Sequence, residues 1–152
     1  MNRRPRLYLD TCCWGRPYDD MADPTVYDEA QAILQIQEDI SEGRFSLAWS
    51  YMLNIEVFRN PFLLMRNEIL VWGDIASYLV KHKTPEIEAF SLTLQSKGVK
   101  PYDAAHVACA VDLYCDYFLT TDHKLLNTAI SEIEVVNPLD FIKVFPRKDE
   151  GK

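Results

Sequence analysis

No apolar stretch in this chain approaches the ~20 residues a membrane-spanning helix requires. The N-terminal run Met1-Asn2-Arg3-Arg4-Pro5-Arg6 is basic, but only Leu7, Tyr8 and Leu9 follow before Asp10, so it lacks the apolar core of a signal peptide. A cytoplasmic protein with no membrane partner is expected. Glycine is sparse at five residues, and neither G-x-x-x-x-G-K-[ST] nor G-x-G-x-x-G occurs, which argues against a P-loop NTPase and a Rossmann dehydrogenase. The four cysteines include no C-x-x-C pair, and His82, His106 and His123 are scattered, so a structural zinc site is not expected. Thiols of this kind suit a reducing compartment as small buried filler. An excess of basic charge is also missing. The formal net charge is −7, which by itself argues against a general nucleic-acid binder.

What remains is ordinary globular material, 48% hydrophobic and 26% charged. At 152 residues the chain is expected to form one domain over 1–152, with a core over about 6–145 and a loose charged tail from Pro146 to Lys152. A chain of this size buries roughly two thirds of its unfolded surface and needs no staples.

Hydrophobic patterning predicts strands at Arg6–Leu9, Arg44–Ser50, Asp116–Thr120 and Ile133–Val136. Predicted helices run from Pro24 to a stop at Gly43, from Tyr51 to Asn60, through a long stretch Phe62–His82, from Pro85 to Ser96, from Pro101 to Tyr114 and from Lys124 to Ile130. Thr11–Pro24 reads as a loop. Strands alternating with helices indicate an α/β fold with a parallel sheet of about four to five strands, covered on both faces.

Four acids stand out against this frame. Asp10 ends the first strand, Glu56 lies in the apolar helix after the second, Asp103 opens the helix after Pro101, and Asp122 follows Phe118-Leu119-Thr120-Thr121. In an open α/β sheet, residues that end strands or begin helices meet in the crevice at the carboxyl edge. Carboxylates gathered there repel one another, and a hard divalent cation relieves the repulsion. Each acid also has a plainer reading. Asp10 and Asp122 could cap turns or helices. Asp103 could serve the first-turn dipole, and Glu56 could snorkel to the surface. Thr120 is placed to hydrogen-bond a carboxylate or a metal-bound water, and Thr11 to contribute a hydroxyl or backbone group. His106 reads first as a packed, hydrogen-bonded histidine. Trp14 and Tyr18 are candidates for base stacking or for the core. Arg16, Arg59, Lys100 and Lys124 lie near the acids in sequence and are candidates for phosphate contacts.

Leu7-Tyr8-Leu9-Asp10-Thr11, Asn54-Ile55-Glu56, Pro101-Tyr102-Asp103-Ala104-Ala105-His106-Val107-Ala108 and Leu119-Thr120-Thr121-Asp122, in this order and spacing, resemble a PIN domain from about Leu7 to Phe145. The resemblance implies a PIN-like three-layer α/β/α sandwich. It implies an endoribonuclease whose Mg²⁺ or Mn²⁺ is held by Asp10, Glu56, Asp103 and Asp122, leaving a 3′-hydroxyl and a 5′-phosphate. Small single-domain members of this kind are often toxins of the VapC type. That implies a separate antitoxin partner and a homodimer, with Phe62, Leu63, Leu64 and Trp72 as residues for an interface or for the core. A non-catalytic PIN domain binding RNA or protein is the alternative. A phosphatase with an Asp10 nucleophile fits poorly, because the second Asp two residues on is absent.

The Asp10→Asn variant is expected to lose metal-dependent activity while keeping its fold. Full activity in that variant would contradict the assignment of Asp10.

Overall fold

The computed structural model describes residues 3–147. Its order is β1 (Arg6–Leu9), α1 (Thr11–Gly15), a 3₁₀ turn at Arg16–Tyr18, α2 (Pro24–Ser41), β2 (Ser46–Ser50), α3 (Tyr51–Phe58), α4 (Leu63–Ile75), β3 (Tyr78–Val80), α5 (Pro85–Ser96), α6 (Pro101–Asp112), β4 (Tyr117–Leu119), α7 (His123–Leu126), β5 (Glu134–Val136) and α8 (Pro138–Val144). The five strands are all parallel, in the order β3-β2-β1-β4-β5. This is the PIN-like three-layer α/β/α sandwich expected from the sequence.

The order has a direct consequence. From β1 the chain steps outward to β2 and β3, then returns across the sheet to β4 and continues outward to β5. Right-handed crossovers place the helices of these two legs on opposite faces. The winding reverses between β1 and β4, and that switch point is where a crevice opens at the carboxyl edge. Backbone pairing continues past the strands there, with Asp10 N donating to Leu119 O at 2.9 Å.

Local chemistry accounts for the elements. Leu7, Tyr8 and Leu9 are fully buried, as a central parallel strand covered on both faces requires. Helix α2 starts at Pro24 with the Asp23 carboxylate accepting from Thr25 N and Val26 N. It stops before Gly43, whose φ of +82° suits glycine. The core joins Trp14, Trp49, Phe118 and the aliphatic residues of the strands with the buried face of α6. Trp14 packs against Trp49 and Trp72 at centroid distances of 5.4 and 5.5 Å.

Several expectations are corrected. The stretch Phe62–His82 is not one helix, because Ala76 turns extended and Tyr78–Val80 joins the sheet beside β2 as β3. Thr11–Pro24 is not a plain loop. Trp14 is 1% exposed, donates its indole N–H to Leu9 O, and thereby fixes the short helix α1. It is a core residue and is not available for base stacking. Trp72 likewise packs on the core, whereas Phe62, Leu63 and Leu64 are exposed. The expected loose tail is anchored at its start, where Arg147 pairs with Asp39 and Glu38 and Arg44 donates to Pro146 O. The rest of that tail, 148–152, lies outside the described residues. No helix among the described residues is long and apolar enough to cross a membrane.

Gly73 lets α4 lie against the ring of Trp49. A Cβ there would come within 2.7 Å of the indole, which is fully buried and tied to Asn54 Oδ1. Overpacking of this kind costs about 1–3 kcal/mol, which outweighs the ~1 kcal/mol of helix propensity that alanine contributes. Gly73→Ala is therefore expected to lower Tm, and a raised Tm in thermal unfolding would contradict this packing.

Candidate metal centre at the sheet switch point

Asp10 leaves the end of β1 as the cap of α1 and is only 5% exposed. Its Oδ1 accepts from Thr11 N at 2.8 Å and its Oδ2 from Thr120 Oγ1 at 2.9 Å. The capping role is thus real, and it holds the carboxylate rigid. Thr120, the residue after β4, is fully buried and its hydroxyl also accepts from Asp122 N at 3.1 Å.

Glu56 reaches the same place from α3. Its Oε1 accepts from Thr11 Oγ1 at 2.9 Å and faces Nε2 of His106 on α6. Burial works to raise the Glu56 carboxyl. Hydrogen bonding and electrostatic attraction from His106, the Thr11 hydroxyl and Arg59 outweigh it, so the group sits below the ordinary glutamate range. Ligand-capable atoms of Asp10, Glu56 and His106 all lie within 4.8 Å of one another. Sequence reading placed His106 as a packed histidine. It is fully buried, but it also stands against one of the candidate acids, a contact that only the meeting of α3 with α6 creates.

Asp103 and Asp122 border this cluster without joining that tight set. Asp122 caps α7, with Oδ1 accepting from Lys124 N at 2.9 Å and Leu125 N at 3.4 Å. Asp103 sits half-buried in the first turn of α6. Its carboxylate takes no hydrogen bond from any described residue, so capping is not what holds it. Burial, then the charges of Asp10 and Asp122, push its pKa up to about 6, with Glu56 adding to the repulsion and His106 opposing it. The other three acids therefore all act on Asp103.

The basic residues divide. Arg16 is engaged by Asp19, by Thr121 and by buried Glu29. Its Nε lies 3.1 Å from Glu29 Oε1 but off the hydrogen-bond axis, so that contact is electrostatic. Arg59 lies over the Tyr102 ring at 5.1 Å and lines a groove with Glu56, Tyr18 and Phe62. Lys100 and Lys124 line a small pocket with Asp103 and make no ion pair among the described residues.

Comparison with solved structures finds a likeness of fold. The VapBC2 structure from Rickettsia felis, bound to a DNA fragment from its promoter, contains a chain that superposes with a TM-score of 0.53 at 14% identity, over 87% of this chain and 98% of that one. At that identity the likeness is one of fold. No family model matches this sequence, and no curated protein does either.

The donor set fits a divalent cation. Carboxylate oxygens predominate, two of the acids are held by hydrogen bonds, and Asp103 takes no hydrogen bond from any described residue. Mg²⁺ and Mn²⁺ suit oxygen ligands, and an imidazole nearby does not disfavour Mn²⁺.

A raised folded-state pKa on an acid means that the folded state holds the proton more tightly than the unfolded one. Stability in the metal-free protein then falls as pH rises from the ordinary value of 3.8 through about 6. Asp103→Asn removes this cost, so its metal-free Tm should exceed that of the wild type at pH 7.5, with the gap closing near pH 4. An equal or lower Tm at pH 7.5 would show that Asp103 is not electrostatically strained.

Proposed function

We propose that this protein is a metal-dependent endoribonuclease of the PIN type, acting on RNA phosphodiester bonds. The observation that carries this reading is the convergence of Asp10 and Glu56 with His106 at the switch point, bordered by Asp103 and Asp122. The motif order in the sequence and the fold likeness to a chain of the VapBC2 complex support it.

The acids Asp10, Glu56, Asp103 and Asp122 are proposed to hold Mg²⁺ or Mn²⁺. A bound divalent ion polarises a phosphodiester and lowers the pKa of a water molecule. Thr120 fixes Asp10 and Thr11 fixes Glu56, so both carboxylates keep their orientation before substrate arrives. Lys100, Lys124 and Arg59 stand at the margins of the acidic crevice, where the phosphates on either side of the scissile bond would pass. No protein nucleophile is required, and hydrolysis would leave a 3′-hydroxyl and a 5′-phosphate.

The toxin of a toxin–antitoxin pair is the biological role we favour, with the whole chain as one cytoplasmic domain. A separate antitoxin and a second copy of this chain are the proposed protein partners. Phe58, Phe62, Leu63 and Leu64, 57–82% exposed, are apolar surface open to them. The alternative is a non-catalytic module, for which a net charge of −7 favours a protein ligand over RNA. The repulsion that three acids exert on Asp103 weighs against it, since a scaffold gains nothing from that repulsion.

Purified protein should cut total cellular RNA into discrete fragments with Mg²⁺ or Mn²⁺, and EDTA or Asp103→Asn should abolish the cleavage. Cleavage that persists in both controls would overturn the metal-site reading. A folded wild type that leaves RNA intact with either metal would favour the binding module.

A further inference from the structure

A line of buried hydrogen bonds runs from the core to Glu56. Tyr8 OH lies 2.6 Å from Ser50 Oγ and 2.7 Å from His106 Nδ1, and His106 Nε2 meets Glu56 Oε1. Ser50 Oγ also accepts from Met52 N at 3.2 Å. Tyr8, Ser50 and His106 are each fully buried. The Tyr8 ring is clamped by stacking on Phe118 at 5.3 Å and by edge contact with the His106 ring.

The direction of these bonds follows from their chemistry. An ionised carboxylate only accepts, so Nε2 carries the proton that faces Glu56. In a neutral imidazole the other nitrogen then accepts, which makes Tyr8 OH the donor to Nδ1. Tyr8 oxygen in turn accepts from the Ser50 hydroxyl, whose own oxygen is already bonded to Met52 N–H. Every member is satisfied with one arrangement of protons, and the whole line terminates on Oε1 of Glu56. With Thr11 also donating to Oε1, the second oxygen, Oε2, is the one left to accept a ligand.

We propose that His106, locked in its Nε2–H tautomer by Tyr8, is a positioning residue that aims the Glu56 carboxylate into the crevice. This rests on the reading of Glu56 as a metal ligand. It assigns work to two residues outside the four acids. Tyr8 lies on a central strand, one strand away from Ser50, so the sheet itself sets the orientation of a side chain carried on a helix. Partners at one remove from a metal typically change its affinity by about 10–100-fold when lost.

The test uses the full chain with Mn²⁺ alone, titrated by calorimetry. Tyr8→Phe keeps the ring and its packing while removing the donor to Nδ1. His106→Gln keeps an N–H for Glu56, whereas His106→Leu removes it. Glu56→Gln should weaken Mn²⁺ binding most. Tyr8→Phe and His106→Leu should each weaken it by about tenfold, with His106→Gln recovering most of the loss. In the metal-free wild type, ¹⁵N spectra of the imidazole should show a single Nε2–H tautomer, and in Tyr8→Phe a mixture. If Glu56→Gln binds Mn²⁺ as the wild type does, the metal-site reading itself fails. If Glu56→Gln weakens binding while Tyr8→Phe and His106→Leu do not, the positioning role is overturned. An Nδ1–H tautomer in the wild type would also overturn it, because Nε2 would then face Glu56 without a proton to donate.

Discussion

Like charges forced together at a switch point are the constraint around which this structure is arranged. The β3-β2-β1-β4-β5 order brings the ends of β1 and β4 side by side, and both ends are followed by acids. A carboxylate that is 5% exposed, as Asp10 is, carries a desolvation cost that only hydrogen bonds or opposite charge offset. Asp10 is compensated by a backbone amide and the Thr120 hydroxyl, Glu56 by Thr11 and His106, and Asp122 by the amides that open α7. Asp103 has no such donor among the described residues, and burial together with the charges of Asp10 and Asp122 raises its pKa to about 6. Local hydrogen bonds therefore settle three of the acids, while the fourth takes none from the described residues. A cation is the simplest complement, and its binding would be linked directly to stability.

The same constraint explains how much of the site could be read from sequence. Asp10, Asp103 and Asp122 were visible because each follows a local signal: the end of an apolar run, a proline-opened helix, a Thr-Thr-Asp turn. The capping readings hold for Asp10 and Asp122: Asp122 caps through Oδ1, and Asp10 accepts from Thr11 N through Oδ1 and from Thr120 through Oδ2. The Glu56–His106 contact was not legible. It joins residues fifty positions apart on two helices, and no periodicity encodes which helix faces meet. Tyr8 was hidden for a similar reason. In a strand buried on both faces every residue looks like packing, and only the register with β2 shows that its hydroxyl reaches Ser50.

Errors in the fold reading share one physical origin, which is that short elements take their conformation from neighbours. The three residues of β3 follow a mixed apolar helix and gain strand geometry only by pairing with Ala48, Trp49 and Ser50. Helix α1 spans five residues, too few for helical periodicity, and is held by the Asp10 cap and the buried Trp14 indole. Longer elements such as α2, α5 and α6 carried proline starts and apolar spacing sufficient to place them within a residue or two. The charge of −7 was similarly uninformative as a sum. Its placement matters more, with Lys100 and Lys124 beside Asp103 and Arg59 beside Glu56.

Diffraction from crystals soaked in Mn²⁺, recorded for anomalous scattering, tests the central claim most directly. The account predicts a peak in the crevice bounded by the carboxylates of Asp10 and Glu56, on the side open to Asp103 and Asp122. A structure with Mn²⁺ present and no peak there, or with peaks only at other acidic surfaces, would contradict it.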